Sequence, residues 1–173
     1  ESGSTLRFFV PLFTLSGQPI TFLGRNRLLK RPQGVYKTMF EQQGHRFEQT
    51  EQQLIVQGAL KAGSYEIDGS ISSQFITGLL FALPLLEQDS IIHIKPPFES
   101  RSYIELTLQM LKTFGVTAEF QDNHTLYIPG NQSYHACDYT VEGDYSQMAF
   151  YAVFAAIQSD LYCKGITSSS KQG

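Results

Sequence analysis

The chain has 173 residues, enough for one good-sized domain or two small ones. Hydrophobic residues make up 42% and charged residues 17%, an ordinary globular balance with material for a sizeable core. The net charge of -3 advertises neither nucleic acid nor an anionic membrane, and no apolar run approaches the roughly 20 residues of a membrane-spanning helix.

In chain order, Ser4 to Leu15 reads as a helix behind a hydroxyl-rich start, followed by a strand at Ile20 to Leu23 and a helix at Gly34 to Gln43. Three strands follow at Arg46 to Thr50, Leu54 to Val56 and Tyr65 to Ile67. The apolar run that Ser72-Ser73-Gln74 opens, ending at Leu86, reads as a buried helix. After it come a strand at Ile91 to Ile94, bounded by Pro96-Pro97, and a helix at Arg101 to Phe114 that Gly115 closes. Strands at Thr117 to Gln121 and Thr125 to Ile128 flank the turn Asp122-Asn123-His124, and Tyr139 to Val141 alternates as a further strand. A last helix starts at Ser146, and the pattern runs out within Leu161-Tyr162-Cys163, read as part of a strand.

The order repeats. Tyr65-Glu66-Ile67-Asp68-Gly69 matches Tyr139-Thr140-Val141-Glu142-Gly143, and each leads into Ser-Gln and an apolar helix, at Ser73-Gln74-Phe75 and Ser146-Gln147-Met148. Equivalent positions lie about 70 to 75 residues apart, long enough for a whole supersecondary unit. The units are expected at about 1–69 and 70–143, with the start of a third at 144–173. Each reads helix, strand, helix, then three strands, which argues for α/β packing with helices covering sheets. Both ends are expected to be cuts, because the chain opens directly on a helix start and closes on a polar tail.

Cys137 and Cys163 sit far apart with no CxxC spacing and read as buried or half-buried thiols, which fits a reducing, cytoplasmic setting. His45, His93, His124 and His135 form no metal-ligand spacing, so neither metal nor cofactor is expected.

Several segments carry a specific resemblance. Gly3-Ser4-Thr5-Leu6-Arg7, Leu29-Lys30-Arg31-Pro32-Gln33-Gly34 and Asp68-Gly69-Ser70-Ile71-Ser72-Ser73-Gln74-Phe75 are similar, in order and spacing, to three segments of the EPSP synthase family. Ser100-Arg101-Ser102-Tyr103 and Val141-Glu142-Gly143-Asp144 support them, so the resemblance runs the length of the chain. It implies βαβαββ units, as in the inside-out α/β barrel of the enolpyruvyl transferases, gathered three to a domain. This chain would then be most of the first domain, partnered by a missing N-terminal segment and a second domain.

The implied reaction moves the carboxyvinyl group of phosphoenolpyruvate to the 5-hydroxyl of shikimate 3-phosphate, releasing phosphate. Both substrates are polyanions, which helix N-termini and guanidinium groups hold well. By resemblance, Ser72, Ser73, Gln74, Ser100 and Tyr103 contact shikimate 3-phosphate, and Gly3, Arg31 and Gln74 contact phosphoenolpyruvate. Read from the residues alone, one serine is a helix cap, Ser100 is another, Tyr103 is a first-turn aromatic, and Arg31 belongs to a solvated basic run with Arg25, Arg27 and Lys30. Arg7 faces either the cleft or an internal acid. Phe8 stands where proline often follows the arginine in the family. No acid–base pair able to run the reaction is evident, so no residue here is assigned a catalytic role, and this chain alone is expected to turn nothing over. Three other readings compete: the sibling transferase acting on UDP-N-acetylglucosamine, the RNA 3′-terminal phosphate cyclases, and a non-catalytic repeat module that binds a protein partner.

Overall fold

The structure, a computed structural model, describes residues 2–25, 27–158, 160–168 and 170–172. Five helices and seven strands alternate along these residues. Helix α1 spans Gly3–Thr14, strand β1 Ile20–Leu23, helix α2 Gly34–Gln42, and strands β2, β3 and β4 Arg46–Gln49, Gln53–Gln57 and Ser64–Asp68. Helix α3 (Gln74–Ala82) opens the next set, with β5 (Ser90–Lys95), α4 (Arg101–Thr113), β6 (Glu119–Phe120) and β7 (Thr125–Ile128) behind it. Helix α5 covers Tyr145–Gln158.

The repeat read from the sequence is a repeat of topology. One sheet has the order β1-β3-β2, wholly antiparallel, and the other contains β5-β7-β6 in the same arrangement. Gly44 and Gly115 close the equivalent helices α2 and α4, each at a positive φ (77° and 80°) that costs glycine no steric penalty.

Strand β4 crosses between the two sets. It leaves its own sheet and pairs in parallel with β5, Tyr65 opposite Ile92 and Ile67 opposite Ile94, through a crossover that contains α3. This exchange explains a strand that does not form. Tyr139 to Val141 holds the position equivalent to β4, and it is irregular here. A strand in that position needs a partner following the next helix, and the described residues after α5, including Leu161 to Cys163, form none. Alternation in the sequence survives; pairing does not. The expected strand at Thr117 to Gln121 shortens to β6, and Pro84 converts the end of the α3 helix into a 3₁₀ turn at Leu83–Leu85.

Helix α3 is the centre of the core. Phe75, Ile76, Leu79, Leu80 and Ala82 are buried almost completely, between α1 on one side and α4 on another. Leu6 and Val10 of α1, Tyr36 and Phe40 of α2, and Ile92, Ile94, Leu126 and Ile128 of the second sheet complete one continuous cluster. Helix α5 stands apart, with no buried residue and with Phe150, Tyr151, Val153, Phe154 and Ile157 exposed. Its start is nevertheless well built. The Asp144 carboxylate accepts from the Ser146 and Gln147 amides, and Gln172 reaches back to Glu142 and to the Gly143 carbonyl. No helix among the described residues is long and apolar enough to cross a membrane.

Two polar features depart from expectation. Cys137 and Cys163 are exposed, not buried, because both lie in irregular segments outside the core. Gln33, just before α2, is only 1% exposed, and neither its side-chain oxygen nor its nitrogen has a partner among the described residues. Two buried, unpaired polar atoms cost about 1–3 kcal/mol, and methionine fills nearly the same volume without them. Gln33→Met should therefore raise the melting temperature by roughly 3–8 °C, taking 2–4 °C per kcal/mol for a chain of this size. Thermal unfolding followed by circular dichroism checks this; a fall would mean the amide is engaged in bonds that methionine cannot make.

Candidate active site

The site begins with a proline. Pro11 lies inside α1 and has no N–H, so the carbonyl one turn earlier, that of Arg7, loses its helical donor. The hydroxyl of Tyr36 supplies the replacement, donating to the Arg7 carbonyl at 2.6 Å, with the Phe75 carbonyl of α3 also within reach at 3.1 Å. Tyr36 is fully buried, and that burial pushes its hydroxyl pKa well above the usual tyrosine value, so it remains a donor. One side chain from α2 thus ties α1 to α3. Gly78 lets the two helices approach, since a Cβ there would collide with the Arg7 carbonyl and the Tyr36 hydroxyl.

This packing brings the N-terminal ends of three helices to one cavity of about 560 Å³. Ser4 comes from α1, Ser72, Ser73 and Gln74 from the start of α3, and Ser100 and Tyr103 from the start of α4. All five residues expected to meet shikimate 3-phosphate are therefore side by side. Capping does not account for their hydroxyls. Neither Ser73 nor Ser100 makes a side-chain cap bond, and Ser72 Oγ accepts only a long one, from the Gln74 amide at 3.4 Å. Ser100 does hold the N-cap position of α4, but its hydroxyl makes no cap bond. Behind the polar mouth the cavity is apolar, with Phe8 meeting Phe81 edge to face (centroids 5.5 Å apart) and Thr77 bonded to Thr107 at 3.0 Å.

Gly3 and Arg31 adjoin this cavity without forming its wall. The Arg31 guanidinium lies directly over Gly3, in the space a side chain there would occupy. Arg7 pairs with no acid among the described residues and borders the cavity through Gln74 rather than lining it. Its guanidinium stacks 4.5 Å from the Phe75 ring centroid, donates to Gln74 Oε1 at 2.9 Å and reaches the Pro32 carbonyl at 3.4 Å. Burial lowers its pKa; the neighbouring Arg31 charge adds to that, while Tyr36 opposes it.

Among the described residues the ion pairs use Lys30 with Glu51 and Lys37 with Glu41, but neither Arg7 nor Arg31 has a carboxylate partner. Arg31 is exposed like the basic residues around it, and what distinguishes it is its place over Gly3 at the edge of this cavity. An exposed guanidinium with no carboxylate partner among the described residues, beside a row of hydroxyls, is an arrangement suited to an anion. Among the described residues no three His, Cys, Asp or Glu side chains gather as a metal site.

Two positions that shape this cavity went unassigned in the sequence. Ser4 receives the Gln74 side-chain nitrogen at 2.8 Å and lines the cavity, a role its place beside Gly3 hints at. Tyr36 carries no local signal at all, because its partners lie far away in the chain.

Comparison with known proteins places the chain in a family. The family model for EPSP synthase (3-phosphoshikimate 1-carboxyvinyltransferase) matches residues 1–173. A 3-phosphoshikimate 1-carboxyvinyltransferase of Clostridium perfringens (strain ATCC 13124) is 47% identical over the whole of this chain, and one of Clostridium kluyveri is 44% identical. The chain spans 41% of the length of each. Among solved structures, EPSP synthase from Acinetobacter baumannii superimposes with a TM-score of 0.71 at 21% identity, covering 90% of this chain and 35% of that one. That likeness shows a shared fold; the family model and the close relatives go further, and this chain belongs to the EPSP synthase family.

Proposed function

We propose that this chain supplies part of the substrate cleft of an enzyme that transfers the carboxyvinyl group of phosphoenolpyruvate to the 5-hydroxyl of shikimate 3-phosphate. The observation that carries the reading is the convergence of Ser72, Ser73, Gln74, Ser100 and Tyr103, from two different helices, on one cavity beside the Arg31 guanidinium over Gly3. In this reading the serine hydroxyls and the open end of α3 hold the phosphate of shikimate 3-phosphate, and Tyr103 lies against its ring. Arg31 binds phosphoenolpyruvate across Gly3, where the absence of a side chain leaves the guanidinium room. Gln74 stands between the two anions. The work of these residues is to hold and orient charge, which brings the reacting groups together before any proton moves.

The proton-handling groups belong, in this reading, to the remainder of the longer protein, since the chain spans 41% of its relatives' length. Residues 1–69 and 70–143 form two units of its first domain, with α5 opening a third. The bare apolar face of α5 is covered by that same remainder. The reaction is assigned to the cytoplasm, where the two exposed thiols stay reduced.

Titrating shikimate 3-phosphate into the isotope-labelled chain should shift the backbone amides of Ser72, Ser73, Gln74, Ser100 and Tyr103. Ser73→Ala should weaken that binding roughly 10- to 100-fold, the loss of about one hydrogen bond to a charged group. With phosphoenolpyruvate added, no phosphate should be released. A well-folded spectrum that does not move at millimolar ligand, or real turnover by this chain, overturns the reading.

A further inference from the structure

We propose that Arg7 is a positioning residue, whose task is to lock the side-chain amide of Gln74 in one of its two orientations so that an N–H faces the substrate cavity. The proposal rests on the functional reading above for what Gln74 binds, but not for how Gln74 is held.

A glutamine amide has an acceptor face and a donor face of nearly the same shape, and a flip by half a turn exchanges them. Gln74 is held on both sides. Arg7 Nη1 donates to Oε1 at 2.9 Å, and Nε2 donates to Ser4 Oγ at 2.8 Å. A guanidinium has five N–H donors and no acceptor, so only the oxygen of Gln74 can face it; the flipped amide would set donor against donor. With Oε1 committed to Arg7 and one Nε2 proton to Ser4, the second Nε2 proton is left over. Gln74 lines the cavity together with Ser72, Ser73 and Ser100, so that proton is available to an anion there.

Arg7 is itself fixed from several directions, as a positioning group must be. Its guanidinium rests on the Phe75 ring, Nη2 reaches the Pro32 carbonyl in the turn that carries Arg31, and its main chain is held by Tyr36. The arrangement has a cost. Nε of Arg7 is sealed from solvent with no acceptor, and no carboxylate among the described residues neutralises the charge. An apolar side chain would fill this place without the penalty of an unpaired N–H. Packing alone therefore does not account for an arginine here, whereas the orientation of Gln74 does.

The test follows the side-chain NH₂ signals of Gln74 in the ¹⁵N-labelled chain, identified by their loss in Gln74→Met. The parent should show one resolved pair in slow exchange with water. Arg7→Met should give a second, flipped pair or exchange at least ~10-fold faster, and Arg7→Lys, which keeps a donor-only cation, should restore the single pair. Affinity for shikimate 3-phosphate should fall ~10-fold in Arg7→Met. Adding Arg7→Met to Gln74→Met should cost nothing further, because Arg7 acts through Gln74. Unchanged Gln74 signals in a folded Arg7→Met chain, or losses that add in the double variant, overturn the proposal. If Arg7→Met does not fold, a doubled or fast-exchanging Gln74 pair in Arg7→Lys does the same. If shikimate 3-phosphate binds none of these chains, the functional reading fails while the NH₂ signals still decide the positioning role.

Discussion

Gly78→Ala should destabilise this chain by roughly 2–4 kcal/mol, although helix propensity taken alone predicts the opposite sign. Gly78 sits in the middle of α3, where alanine is ordinarily better than glycine by ~0.5–1 kcal/mol. The new Cβ, however, would land on the Arg7 carbonyl and the Tyr36 hydroxyl. One obstacle is main chain, which cannot swing aside, so α1 must move away from α3. Overpacking of this kind costs about 1–3 kcal/mol. Separation also breaks the Tyr36 bond to the one carbonyl of α1 that Pro11 leaves without a helical donor, and an orphaned buried carbonyl costs about 1–3 kcal/mol more. The melting temperature should fall by roughly 5–15 °C. Tyr36→Phe removes the hydroxyl from the same spot, so the double variant should lose less than the sum of the two single losses. A melting temperature that rises in Gly78→Ala would show that the helices have room, and that propensity decides.

How far the sequence reaches is visible in the same residues. Helices, the two-unit repeat and the hydroxyl-rich starts of α1, α3 and α4 are legible, because periodicity and short motifs are local properties. The motif residues Ser72, Ser73 and Gln74 do meet Ser100 and Tyr103 at one cavity. What stays hidden is whatever depends on partners distant in the chain. Pro11 and Tyr36 are both plain to see, but nothing local says that the carbonyl freed by one accepts the hydroxyl of the other. Tyr139 to Val141 has the alternation of a strand and stays irregular, since alternation describes faces and a strand also needs a neighbour. The two cysteines misled for a related reason: a thiol's usual preference for burial says nothing about segments that lie outside the core.

Gly3→Ala should separate the site from the fold: phosphoenolpyruvate affinity should drop by roughly 10- to 100-fold with no loss of stability. Gly3 is the first residue of α1, capped by Ser2, whose Oγ accepts from the Thr5 amide at 3.2 Å. It has no positive φ, so alanine fits the backbone and should leave the melting temperature unchanged or slightly higher. The nearest obstacles to the added methyl all belong to the Arg31 side chain, Nη1 first. This is the free end of a flexible chain on an exposed residue, so it yields at little cost to folding. What is lost is position. A displaced guanidinium gives up one or two charge-assisted bonds to a bound carboxylate or phosphate, each worth about 1.5–3 kcal/mol, and the expected fall in affinity follows from one of them. Binding of phosphoenolpyruvate and the shift of the Arg31 Nε–H signal, followed in the same titration, read the effect directly. An Arg31 signal that moves while affinity holds would place the anion elsewhere on the helix starts; if neither changes, Gly3 is only a helix start and Arg31 only part of a solvated basic loop.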